Sequence, residues 1–135
     1  MLKKMTRRKR VMQKKAACYY HGSSMELTEL RPGSTVTPDP NLARVFSHKP
    51  AVVTMSEDGR LEHTGTLPGY LYRIAEAIGA NDVMPHPQAR LLPGKEFLTN
   101  RELRLELVRA TSVYTEERLA PVEALRLLRD QKVGA

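Results

Sequence analysis

Residues 18–24 read Cys-Tyr-Tyr-His-Gly-Ser-Ser. Residues 16–21 predict a first β-strand with two aromatic residues near its end, and Gly22-Ser23-Ser24 predicts the break that follows. A strand that stops at aromatic-His-Gly sets an imidazole at the rim of a sheet. Glycine has no Cβ, so the neighbouring N–H and C=O stay open to a flat ligand. Such an edge can grip a planar carboxamide through two hydrogen bonds, as one amide grips another. His21 can donate to a ribose hydroxyl. A His-Gly step at a strand end also reads as an ordinary turn.

Outward from this corner, the chain alternates short apolar runs with breakers. MELTEL at 25–30 predicts one helical turn, with Leu27 and Leu30 three apart. Pro32-Gly33-Ser34 predicts a turn, and TPDPN at 37–41 a loop, because each proline biases its predecessor away from helix. ARVFS at 43–47 predicts a second strand. Residues 50–55 read either way: Pro50 suits a first helical position, Val52 and Val53 suit a strand. SEDG at 56–59 predicts a turn, and 61–66 an exposed strand or a loop.

GYLYRIA at 69–75 alternates two faces and predicts a strand. Residues 81–94 hold three prolines and predict loops, and EFLT at 96–99 predicts a short strand. Leu103, Leu105 and Leu107 alternate with Arg104 and Glu106, the clearest strand pattern in the chain. Residues 115–131 predict a helix, with Leu119, Val122, Leu125 and Leu128 on one stripe. No internal repeat is visible. The predicted class is α+β: small split antiparallel β-sheets with one or two short helices.

Length and composition bound the rest. At 135 residues, with 41% apolar and 27% charged residues, the expectation is one soluble domain. With no Trp and two Phe, the core must be small and mostly aliphatic. No apolar run reaches the roughly 18 residues of a membrane span, so no membrane partner is expected. The formal charge of +7 is local: residues 1–15 carry eight Lys and Arg and no acid, leaving a net −1 on the other 120 residues. This predicts a basic, self-repelling tail at 1–15 ahead of one domain at 16–135. Its functional reading is contact with nucleic-acid phosphates. Its plainer reading is a solvated extension, or an early start codon with Met5 or Met12 as alternatives. The stretch lacks the apolar run of a secretory signal, and the single Cys18 cannot form an internal disulfide. A cytoplasmic location is the expectation.

Other chemistries find little support. None of His21, His48, His63 and His86 has a second ligand-type residue at i+3 or i+4 on a predicted helix, which disfavours a metal site. Cys18 and His21 stand three apart on one strand, so they face opposite ways and form no dyad. Neither a glycine-rich phosphate loop nor a nucleophile elbow occurs.

The order of pieces resembles the ADP-ribosyltransferase fold, and most of all its small rifampin ADP-ribosyltransferase type. Tyr20-His21-Gly22-Ser23 is similar to the Tyr-His-Gly-Thr strand end of that family, with Ser23 where Thr is usual. Leu27 to Gly33, then Val45-Phe46-Ser47 with 50–55, then Gly69-Tyr70-Leu71-Tyr72, then Asn81-Asp82, then 92–108 follow the family order over about residues 18–109. The resemblance implies an enzyme that takes NAD as substrate and moves ADP-ribose to an unidentified acceptor, a small molecule or a macromolecule. It implies that His21, Gly22 and Ser23 bind the nicotinamide end. The family's second-motif Tyr is absent at Val45-Phe46, so stacking falls to Phe46, or to Tyr70 or Tyr72. The family's acid is matched by either Asp82 or Glu96. A carboxylate there would stabilise charge developing on the ribose or orient the attacking hydroxyl. The alternative is a catalytically inactive relative that binds a nucleotide, a protein or a nucleic acid.

Overall fold

The computed structural model describes residues 18–88 and 94–134. The predicted tail at 1–15 lies outside these residues. Among the described residues, nine strands and two α-helices follow in chain order. The strands are β1 (Tyr20–Ser23), β2 (Glu29–Leu30), β3 (Thr35–Val36), β4 (Val53–Met55), β5 (Leu61–His63), β6 (Gly69–Ile74), β7 (Val83–Pro85), β8 (Phe97–Thr99) and β9 (Leu103–Thr111). Helix α1 (Pro40–Phe46) lies between β3 and β4; a 3-10 turn (Thr115–Glu117) and helix α2 (Pro121–Gly134) follow β9. Every strand pair is antiparallel, and the class is α+β as the sequence predicts.

Three sheets result, with strand orders β1-β6-β9-β2, β3-β8-β7 and β4-β5. A bridge between Tyr20 and Thr37 ties the first sheet to the second. Between them lies a core of Leu30, Val36, Ile74 and Leu103, with Phe97 and Tyr19 edge to face at its margin. A second core packs Leu42 and Val45 of α1 against Leu61, Val53 and Met55 of the β4-β5 hairpin. The SEDG turn closes that hairpin as predicted, with Gly59 donating to the Ser56 carbonyl at 2.9 Å. No helix among the described residues is long and apolar enough to cross a membrane.

Several local predictions are corrected. The strand predicted at 43–47, and part of the loop predicted at 37–41, are helix α1. Asp39 caps it, accepting from the Asn41 N–H at 2.9 Å and the Leu42 N–H at 3.3 Å, and Pro40 opens its first turn. Leu42 and Val45 are three apart, so both reach one core from a helix. The turn predicted at 25–30 ends as β2, because Glu29 and Leu30 pair with Arg104 and Leu103. The break expected at Gly22 falls later, since β1 runs through Gly22 and Ser23, opposite Leu71 and Tyr70.

Strand β9 slips by one residue against β6. Leu71 faces Arg109 and Tyr72 faces Leu107, which leaves Val108 as a bulge. Before the bulge the leucine alternation keeps its register, with Leu105 opposite Ile74 and Leu107 opposite Tyr72, but only its start is covered: Leu103 is buried and Leu107 is 55% exposed. The helix predicted over 115–131 is broken by extended Arg118 and restarts at Pro121. Leu119 thus lies outside α2, Ala124 is its buried contact, and Val122 and Leu125 face outward.

Candidate functional site

Two adjoining cavities flank β1 and the end of α1. The first, about 230 Å³, is lined by Tyr20, His21, Gly22, Thr35, Phe46 and Glu96. The second, about 340 Å³, meets the first at Phe46 and Glu96 and extends past Lys49 to His86.

The main chain of β1 explains the first cavity. Tyr19 accepts from Ile74 of β6 at 3.0 Å, whereas Tyr20 exchanges both of its hydrogen bonds with Thr37 on the other side, at 2.8 and 3.0 Å. Alternation along an antiparallel strand then turns the N–H and C=O of His21 toward β6, and those of Gly22 toward the outer edge. Beyond Thr37 the facing chain winds into α1, so among the described residues no strand continues opposite Gly22. The glycine is also required for packing. A Cβ there would stand 1.8 Å from the Ala43 carbonyl oxygen and 2.7 Å from the Ser47 nitrogen. Helix α1 can lie against β1 only because residue 22 has no side chain, and that contact sets Phe46, the last residue of α1, into the cavity wall.

His21 Nδ1 lies 2.7 Å from the Thr35 carbonyl oxygen and so donates to it. Burial holds the ring's pKa below its usual value, although the Thr35 carbonyl opposes this. In the neutral ring Nε2 is then an acceptor. This revises the expectation that His21 donates to a ribose hydroxyl: such a hydroxyl would donate to His21. Glu96 reaches the cavity from the residue just before β8, and its carbonyl accepts from the His86 N–H at 3.0 Å.

The predicted residues thus divide. His21, Gly22, Phe46 and Glu96 share one cavity. Asp82 does not line it: its carboxylate accepts from Arg101 Nε at 2.9 Å and from the Gly79 N–H at 2.8 Å. Arg101 and that N–H hold the carboxyl below the usual range, as expected of a turn staple. Ser23 does not line it either; its hydroxyl accepts from the Met25 N–H at 3.0 Å. Tyr72 is buried, and its hydroxyl accepts from the Leu27 N–H at 2.7 Å. Tyr70 tilts against Tyr72 with centroids 6.3 Å apart and lines neither cavity. Sequence reasoning missed Tyr20, Thr35 and Lys49 as lining residues. Tyr20 sat in the quoted motif; Thr35 and Lys49 carried no signal until β3 and the end of α1 were placed.

A largely buried polar chain joins α1 to the 3-10 turn. Arg44 of α1 forks onto Glu117 of the 3-10 turn, with Nη1 to Oε1 at 2.9 Å, and lies 4.3 Å from the Tyr114 ring centroid. His63 accepts at Nδ1 from the Gly65 N–H at 3.0 Å, so its proton sits on Nε2, 3.4 Å from Glu117 Oε1 but off the line of a hydrogen bond. Its ring stacks on His48 with centroids 5.5 Å apart. No group of three or more His, Cys, Asp or Glu able to hold a metal ion occurs among the described residues.

No protein-family profile matches the chain, and neither a curated protein nor a solved structure matches it.

Proposed function

We propose that the chain binds NAD at the first cavity and transfers its ADP-ribose to an acceptor. The observation that carries this reading is the outward-facing backbone edge of Gly22 in one cavity with Glu96. The Gly22 N–H would donate to the carboxamide oxygen of nicotinamide, and the Gly22 carbonyl would accept from its amide nitrogen. Phe46 would cover the pyridine ring as an apolar wall. His21 Nε2 would accept from a ribose hydroxyl.

Glu96 would stabilise positive charge as it develops on the ribose. The ribose–nitrogen bond breaks with its electron pair kept by nicotinamide. The acceptor oxygen bonds to the same carbon, and its proton passes to Glu96 and then to water. The Tyr20-His21-Gly22-Ser23 strand end and the Gly69-Tyr70-Leu71-Tyr72 strand, which resemble those of small ADP-ribosyltransferases, support the same assignment, whereas Val45-Phe46 lies in a helix and 53–55 in a strand where that family has a strand followed by a helix. Residues 1–15 would add a separate, salt-sensitive contact with nucleic-acid phosphates.

Calorimetry with NAD, together with mass spectrometry of released nicotinamide, tests the proposal. Glu96→Gln is expected to keep NAD binding within a few-fold and to lower nicotinamide release by about a hundredfold or more. His21→Ala is expected to weaken binding. A folded wild-type protein that neither binds NAD nor releases nicotinamide would sink the reading. One observation favours a second reading, a relative that binds without transfer: Phe46 carries no hydroxyl where the resembled family has Tyr. Binding by the wild type with no transfer over a panel of acceptors would select it.

A further inference from the structure

Helix α1 ends in a way that costs stability. Lys49 N–H donates to the Phe46 carbonyl at 3.2 Å, closing the turn after the helix, and Lys49 has φ of 58°. Left-handed backbone strains any residue with a Cβ and usually falls to glycine or asparagine. Here it falls to a lysine that lines the second cavity. Among the described residues Lys49 has no ion-pair partner, whereas Lys95 lies 3.8 Å from Asp39.

The rest of that wall adds donors and a flat apolar side. The His86 ring accepts at Nδ1 from the Gln88 N–H at 3.0 Å, which leaves its proton on Nε2. Gln88 lines the same wall and carries a carboxamide able to donate, and Phe46 and Pro50 add apolar lining. A cation, an imidazole N–H and an amide beside a flat apolar wall suit a phosphate joined to a planar ring. Among the described residues, the two cavities share Phe46 and Glu96. A nucleophile joins the ribose carbon on the face away from the departing nicotinamide. With nicotinamide in the first cavity, that face opens through Glu96 into the second.

We propose that the second cavity seats the acceptor, and that the acceptor is a nucleoside phosphate held through its phosphate by Lys49. This rests on the NAD reading of the first cavity. The test is calorimetry with AMP as probe on the full chain, with and without a saturating carbocyclic NAD analogue that cannot lose nicotinamide. AMP is expected to bind in both cases, and more weakly as salt rises. Lys49→Gly relieves the left-handed strain, so its melting temperature is expected to be no lower than wild type, yet AMP affinity should fall tenfold or more. A structural role for Lys49 predicts the first result without the second. Displacement of AMP by the analogue, one for one, would give the cavity to the dinucleotide and overturn the acceptor assignment. Equal AMP affinity in wild type and Lys49→Gly, or no AMP binding at all, would also overturn it. If AMP binds through Lys49 but the analogue does not bind, the NAD reading falls and the phosphate site stands.

Discussion

Gly22 shows how one missing side chain shapes two surfaces. On one face its bare Cα lets the α1 backbone approach; at the strand edge its peptide groups face the cavity. Gly22→Ala is expected to cost about 3 kcal/mol, near the upper end for overpacking, because the obstacle is the backbone at Ala43. Chemical denaturation measures it. Tyr72 is the control on the same sheet. Its hydroxyl satisfies the Leu27 N–H, so Tyr72→Phe is expected to lower stability by about 1 kcal/mol and to leave NAD affinity unchanged. A large loss of NAD affinity would return Tyr72 to the binding site. The sequence alone named His21, Gly22, Phe46 and Glu96 but could not separate them from Ser23, Tyr70, Tyr72 and Asp82. Proximity of residues far apart in the chain depends on packing, which periodicity does not encode.

At the scale of the element, α1 decides the site. It presents Phe46 at its end, rests on Gly22 through Ala43, and is anchored from below by Arg44. Arg44 is 1% exposed, and its partner Glu117 comes from the 3-10 turn beyond β9. Removing one partner strands the other charge, so Arg44→Met is expected to cost about 3–5 kcal/mol. The double variant Arg44→Met with Glu117→Gln should recover part of that loss in a double-mutant cycle. An additive double variant would mean the pair is not coupled. The legible elements were those with an alternating pattern, β6 and the first half of β9, and those with turn chemistry, Pro32-Gly33 and the SEDG hairpin. Helix α1 was misread because five residues, ARVFS, fit a strand when taken alone. The capping Asp39 and opening Pro40 looked like loop residues until the core placed Leu42 and Val45 on one helical face.

At the scale of the whole molecule, burial of two imidazoles sets the pH response. Burial lowers the pKa of His21 and of His63 from the usual 6.5; the Thr35 carbonyl and Glu117 respectively oppose it. The unfolded chain then binds more protons than the folded chain below about pH 6.5. Stability is therefore full above that point and falls as pH drops. For Glu117 burial acts upward, but Arg44 and His63 outweigh it and hold the carboxyl below 4.5, which extends the loss to lower pH. Melting temperature is expected to fall between about pH 7 and pH 5. His63→Gln should flatten that slope, and an unchanged slope would exclude His63 as a source. By itself the sequence determined the α+β class, the concentration of positive charge in residues 1–15 and the His-Gly step, because composition, charge runs and strand alternation are local properties. Only the tertiary structure decided that 43–46 is helical, that Glu96 rather than Asp82 shares a cavity with Gly22, and that Lys49 lines a second one. Those outcomes depend on which distant backbone comes close enough to need a glycine, and on which buried charges must find each other.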